Sequence, residues 1–337
     1  MRNFKRSFQF SEVTTVEVGV SRLFLSVEMF IHRRYNMVYQ YVFLEVGIVE
    51  SNSLLITQIP KISAIYYGLL QSGYNYFSIE RSHEHIALLY DFIGGSSSAV
   101  FFSEASQNTC DVYSYWPRAC IMEAASFYLD DNNMTFRDFG TFHRKIMSAG
   151  NISEKERDGT LWNWISKFPK ALSDILSDEL FSKYMEWEKK WIAEQNNIHK
   201  QELKLIERCL DCCSNQWQSP VQSIQICINP IKCVYSSDYH LVGSCFIFSS
   251  GAFRTESIIH EFLHHVVHPA VEQQKEAILM RRPMNKQLDN SYYLSGDDAG
   301  IINGFEETVV RVLTEKVMNG AYPRDLLSCI KTILEES

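Results

Sequence analysis

Apolar residues recur at three- to four-residue intervals through most of the stretch from Trp116 to Cys213, the spacing of one helix face. Three segments carry the pattern: Arg118 to Leu129, Thr135 to Ala149, and a long charge-rich segment from Ser182 to Cys213. The charge run Glu186 to Lys190 inside the last reads as a solvated face. Beyond Cys213 the period changes. Ile224 to Ile228 and Ser244 to Phe248 have the β-branched and aromatic enrichment of strands, with Asn229-Pro230 and Ser236-Ser237-Asp238 as breaks.

Helical spacing then returns twice, from Ile258 to Val267 and from Ile301 through Val317. For the first helix, Thr255 or Ser257 is the expected N-cap and Pro269, after His268, the expected stop; for the second, Asn303 is the expected cap. Between them, Arg281-Arg282-Pro283, Asp289-Asn290 and Ser295-Gly296-Asp297-Asp298 mark a loop long enough to form a lid. The whole predicts an α+β protein: a mostly helical N-terminal region, residues 1–214, followed by a unit at 215–337 in which a small mixed sheet leads into a helix.

That helix carries the chemistry. Ile258-Ile259-His260-Glu261-Phe262-Leu263-His264 contains HExxH among apolar residues. Residues four apart stack on one helix face, so His260 and His264 can aim both imidazoles at one metal ion, for which zinc is the natural guest. Glu261 is rotated about 100 degrees from His260, beside the ion, where a carboxylate can accept a proton from a metal-bound water. His268 shares the face, but lies about 12 Å from His260 along the axis, too far to share an ion. It reads as a helix-end histidine, and His265 as a supporting or surface one.

A catalytic zinc needs a third protein ligand, and two adjacent carboxylates, Glu306 and Glu307, are the candidates. Periodicity places Glu306 with Ile302, Val309, Val310 and Leu313 on the apolar face. Glu307 has Arg311 one turn later as an orienting partner.

In these two motifs the last 120 or so residues resemble the gluzincins, thermolysin-like and aminopeptidase-like zinc peptidases in which the HExxH histidines and a glutamate from a later helix bind zinc. They are similar, more closely, to sparsely characterised peptidases with an H-E-F-x-H helix ending in proline and a later E-x-x-x-R helix, matched here by His260 to His264 with Pro269 and by Glu307 with Arg311. Thermolysin itself has an aspartate where this chain has Arg311, and a much shorter insert between the helices. The metzincin pattern is excluded, because Val267 and Ala270 occupy its glycine and third-histidine positions. The resemblance implies a zincin-like unit and favours Glu307 over Glu306 as third ligand. It also implies hydrolysis of a peptide or protein substrate, with Glu261 as general base. In zincins a sheet edge beside the metal helix holds extended peptide, and Phe246 to Phe253 is the candidate for that edge or the turn after it. Tyr292 or Tyr293 in the lid segment could donate to an oxyanion. The alternative readings are a zincin-fold interaction protein without catalysis, and a zinc hydrolase of a non-peptide substrate.

Composition narrows the remaining classes. A net charge of -8 without a basic stripe argues against nucleic acid. Residues 11–50 mix apolar runs with Glu17, Arg22, Glu28 and Glu45, so no membrane span is expected. Met1 to Phe10 has basic residues without a following uncharged core, which predicts no secretory signal and a cytoplasmic location. Nine cysteines in no framework spacing fit a reducing compartment, and neither Cys209, Cys212 and Cys213 nor His83-Glu84-His85 has the further ligands of a second metal site. Phosphate-loop, nucleophile-elbow and dinucleotide motifs are absent.

Overall fold

The structure, a computed structural model, describes residues 54–72, 89, 91–92, 99–106, 118–142, 160–283 and 297–336. Helices dominate its first part: α1 (Pro60–Gln71), α2 (Ala99–Ser106), α3 (Arg118–Ser126), α4 (Thr160–Ile165), α5 (Phe168–Leu176), α6 (Glu179–Ile198) and α7 (Lys200–Trp217). Proline opens α1 at a position where its missing N–H costs nothing. Asp178 caps α6 by accepting from Leu180 N at 2.7 Å. The expected continuous helix from Ser182 to Cys213 is two helices that meet at His199 (φ -97, ψ 18). Asn196 and Asn197 weaken the last turn of α6, and the Asn196 amide pairs with both backbone groups of Ile56, at 2.8 and 2.9 Å. Thr135 does not open a helix either; it precedes an antiparallel bridge between Leu129 and Phe136.

Three strands follow: β1 (Ser223–Ile228), β2 (Ser237–Val242) and β3 (Cys245–Ser250). Their order is β1-β3-β2, with β1 parallel and β2 antiparallel to β3. Gly243, at φ 61, makes the two-residue turn from β2 to β3. This corrects two expectations. Ser237 and Asp238 are not a break: Ser237 Oγ meets Ser250 Oγ at 3.0 Å and Asp238 pairs with Ser249 in the ladder. And β3 is the central strand, so Phe246 to Phe253 is not the edge; the outer side of β1 carries the Ile56 bridge, which leaves β2 as the open edge among the described residues.

The chain then forms α8 (Thr255–Gln273), α9 (Lys275–Arg281), α10 (Asp298–Met318) and α11 (Leu326–Glu336). Strand side chains alternate between the faces of the sheet. Ile226, Ile228, Phe246 and Phe248 point into a core shared with Ile258, Ile259, Phe262, Phe305 and Val309 of α8 and α10. Cys227 points the other way, into the core of α1, α2, α3 and α5 built on Tyr66, Tyr67, Phe102 and Phe168. Helix α6 serves both, with Phe181 and Tyr184 in one core and Ile192 in the other.

Buried charge ties the layers together. Lys232, fully buried, reaches Glu123 at 2.9 Å, Asp238 at 2.6 Å and both oxygens of Ser249. Glu188, read as part of a solvated run, is 1% exposed. Gln58, Ser63, Tyr184 and Asn229 all donate to it, at 2.6, 2.7, 2.9 and 3.0 Å, so four donors replace the water it gave up. Among the described residues no helix is long and apolar enough to cross a membrane.

Candidate metal centre

Helix α8 begins without a side-chain cap: Arg254 is the N-cap residue, and neither Thr255 nor Ser257 fills that role. Nor does Pro269 stop it. The missing N–H leaves one intrahelical bond unmade, but Ala270 and Val271 just beyond are buried in the core and carry the helix on to Gln273. Helix α10 starts earlier than expected, with Asp297 as N-cap accepting from Gly300 N at 2.6 Å, so Asn303 lies inside it. Glu306 and Glu307 are therefore well within the helix, and both are buried, at 7% and 6% exposure, against α8.

Three ligand atoms converge there. His260 Nε2 and His264 Nε2 are 3.2 Å apart. Glu307 Oε2 lies 3.5 Å from the first and 3.4 Å from the second. A tetrahedral ion with bonds of 2.0–2.1 Å sets neighbouring ligand atoms about 3.3–3.4 Å apart, so the triangle has the dimensions of one face of such a site. His260, His264 and Glu307 form the group able to hold a metal ion among the described residues. Arg311 Nε donates to Glu307 Oε1 at 2.8 Å, which directs Oε2 at the histidines.

Glu306 is not in this triangle. Its Oε1 lies 2.9 Å from His264 Nδ1, on the other side of the ring, and its Oε2 lies 2.8 Å from His268 Nδ1. With Nδ1–H donating to Glu306, a neutral His264 presents its Nε2 lone pair to the triangle. Tyr239 of β2 lies parallel to the His264 ring, centroids 6.2 Å apart at 9°, and stacks in turn on Phe246. His265 belongs elsewhere: buried, it meets Ser219 Oγ at 2.7 Å and the Phe262 carbonyl, and burial lowers its pKa.

Electrostatics agree with an arrangement short of positive charge. Burial disfavours a charged His264, yet Glu306 and Glu307 outweigh it and push the pKa up to about 10. Burial likewise opposes ionisation of Glu307, but the two imidazoles hold it well below the usual carboxylate range. Glu261, with burial as the main cause and the histidines pulling the other way, is pushed up to about 7. Three carboxylates around these imidazoles are the surroundings in which a divalent cation is bound.

Glu261 lies in the wall of a cavity of about 560 Å³. Glu256, Ser257, His260, Glu307, Arg311 and Glu315 complete its lining among the described residues. Tyr292, Tyr293 and most of the expected lid, with His83-Glu84-His85, lie outside the described residues. Cys209, Cys212 and Cys213 are free thiols that form no ligand group.

Sequence reasoning missed the roles of two groups here, Tyr239 against the His264 ring and His268 on Glu306, the latter read as a helix-end residue although the helix runs on to Gln273. Tyr239 sits in a strand whose polar start disguised it, and His268 follows the i, i+4 rule from His264 but has its partner on another helix. Comparison of the chain with protein-family models, with curated proteins and with solved structures gave no match.

Proposed function

We propose that the protein is a zincin-like zinc peptidase, with His260, His264 and Glu307 as the metal ligands and Glu261 as the general base. The observation that carries this reading is the triangle of ligand atoms, 3.2, 3.4 and 3.5 Å on its sides, two of whose residues, His260 and Glu307, line a cavity together with Glu261. Two imidazoles and one carboxylate are the donor set of a hydrolytic zinc site, and leave one position for water or substrate. A zinc ion held by these three residues would supply a Lewis acid for a carbonyl oxygen and a lowered pKa for water.

The remaining work falls to the chain. Glu261 takes the proton of the attacking water and returns it to the leaving amine. Arg311 keeps Glu307 turned toward the histidines. The open edge of β2 lies beside α8, with Tyr239 against His264, and offers main-chain groups to an extended substrate.

The test is cleavage of a peptide library by the zinc-loaded protein, read by mass spectrometry. Wild type should cleave, a chelator should stop it, and Glu261→Gln should retain zinc while losing cleavage. Hydrolysis surviving in Glu261→Gln would remove Glu261 from the mechanism.

A further inference from the structure

His260, His264 and His268 occupy successive turns of α8, and the two carboxylates of α10 alternate along them. Glu307 Oε2 faces the Nε2 atoms of the first two. Glu306 bridges the Nδ1 atoms of the last two, at 2.9 and 2.8 Å. The Glu306 side chain is 9% exposed, and no other donor reaches its Oε2 among the described residues. A carboxylate oxygen so enclosed is costly without its hydrogen bond.

From this geometry we infer that His268 is a positioning residue for the metal centre, acting on His264 through Glu306. Nδ1–H of His268 occupies Oε2 and fixes the carboxylate in a bridging orientation. Oε1 is then held against His264 Nδ1, which sets the ring's tautomer and aims Nε2 at the metal. Glu306 thus connects the metal-ligand face of α8 to a histidine whose side chain is 56% exposed. Pro269 matters here as well: because the helix runs past it, His268 keeps the helical register that carries it to Glu306. The inference rests on the metal reading above, and it assigns His268 no contact with metal or substrate.

The experiment is cobalt(II) affinity of the full chain, measured by visible absorption against a competing chelator, for wild type, His268→Ala, His268→Asn and Glu306→Ala. An asparagine amide can place a donor where histidine has Nδ1. His268→Ala should weaken cobalt binding about tenfold, the low end of the range for groups supporting a metal ligand, and alter the cobalt spectrum. His268→Asn should restore both. In a Glu306→Ala background, His268→Ala should add no further loss. Wild-type affinity in His268→Ala, failure of asparagine to rescue, or an undiminished loss in the Glu306→Ala background would each overturn the inference. Wild-type protein that binds no cobalt would overturn the metal reading itself, and the role of His268 with it.

Discussion

Glu306 Oε1 lies 2.9 Å from His264 Nδ1, on the side of the imidazole opposite the one that faces Glu307. Adjacent glutamates on one helix thus grip one histidine from both sides, one as its orienting partner and one as its fellow ligand in the proposed site. The two should behave differently on truncation. Glu306→Ala should weaken metal binding by about 10–100-fold. Glu307→Ala, which removes a ligand, should weaken it further, and chelator competition reads both. Equal losses would contradict the division of roles.

Arg311 holds the Glu307 carboxylate from the cavity side at 2.8 Å. Arg311→Ala should therefore cost metal affinity, about tenfold, although arginine touches no metal. Lysine at 311 should recover only part of this, because it lacks the guanidinium geometry. The same competition assay measures it.

Behind the sheet, Lys232 is fully buried between Glu123 and Asp238. Removing one partner of a buried pair leaves an uncompensated charge, so Lys232→Met should destabilise the fold by about 3–5 kcal/mol in urea denaturation. A loss below about 1 kcal/mol would mean that the pair behaves as a surface one.

Glu123 also gives the acid limb of stability a defined sign. Burial alone would raise its pKa, but Lys232 and His240 hold it down from the ordinary 4.5 to about 2. A depressed carboxylate stabilises the fold above its unfolded value, and the contribution is lost as pH falls from about 4.5 toward about 2. That contribution is on the order of 3 kcal/mol. Wild type should lose stability through this window more steeply than Glu123→Gln, as urea midpoints against pH will show.

At the turn from β3 into α8, a Cβ on Gly251 would collide with the backbone carbonyl oxygens of Lys232 and Cys233. Backbone cannot yield as a side chain does, so Gly251→Ala should destabilise by about 1–3 kcal/mol. Thermal unfolding measures it; an unchanged midpoint would show that the turn is looser than its geometry.

Legibility in the sequence followed the range of the interaction. HExxH and E-x-x-x-R are local spacings, and the pairs they imply, His260 with His264 and Glu307 with Arg311, are those seen at 3.2 and 2.8 Å. What escaped depends on distant partners. Ser237 and Asp238 look like turn residues until Ser250 and Lys232 are placed beside them. Glu188 looks solvated until donors from positions 58, 63 and 229 surround it. Pro269 looks like a stop because local rules omit the burial of Val271. The choice between Glu306 and Glu307 needed the third dimension, since both are buried and only the side of His264 that each faces tells them apart.

The central claim is that His260, His264 and Glu307 hold one zinc ion, and metal content after dialysis tests it most directly. Elemental analysis of wild type should find about one zinc per chain, with none retained in His264→Ala or Glu307→Ala. Wild type that takes up no zinc when it is supplied, or a Glu307→Ala variant that keeps a full complement, would contradict it.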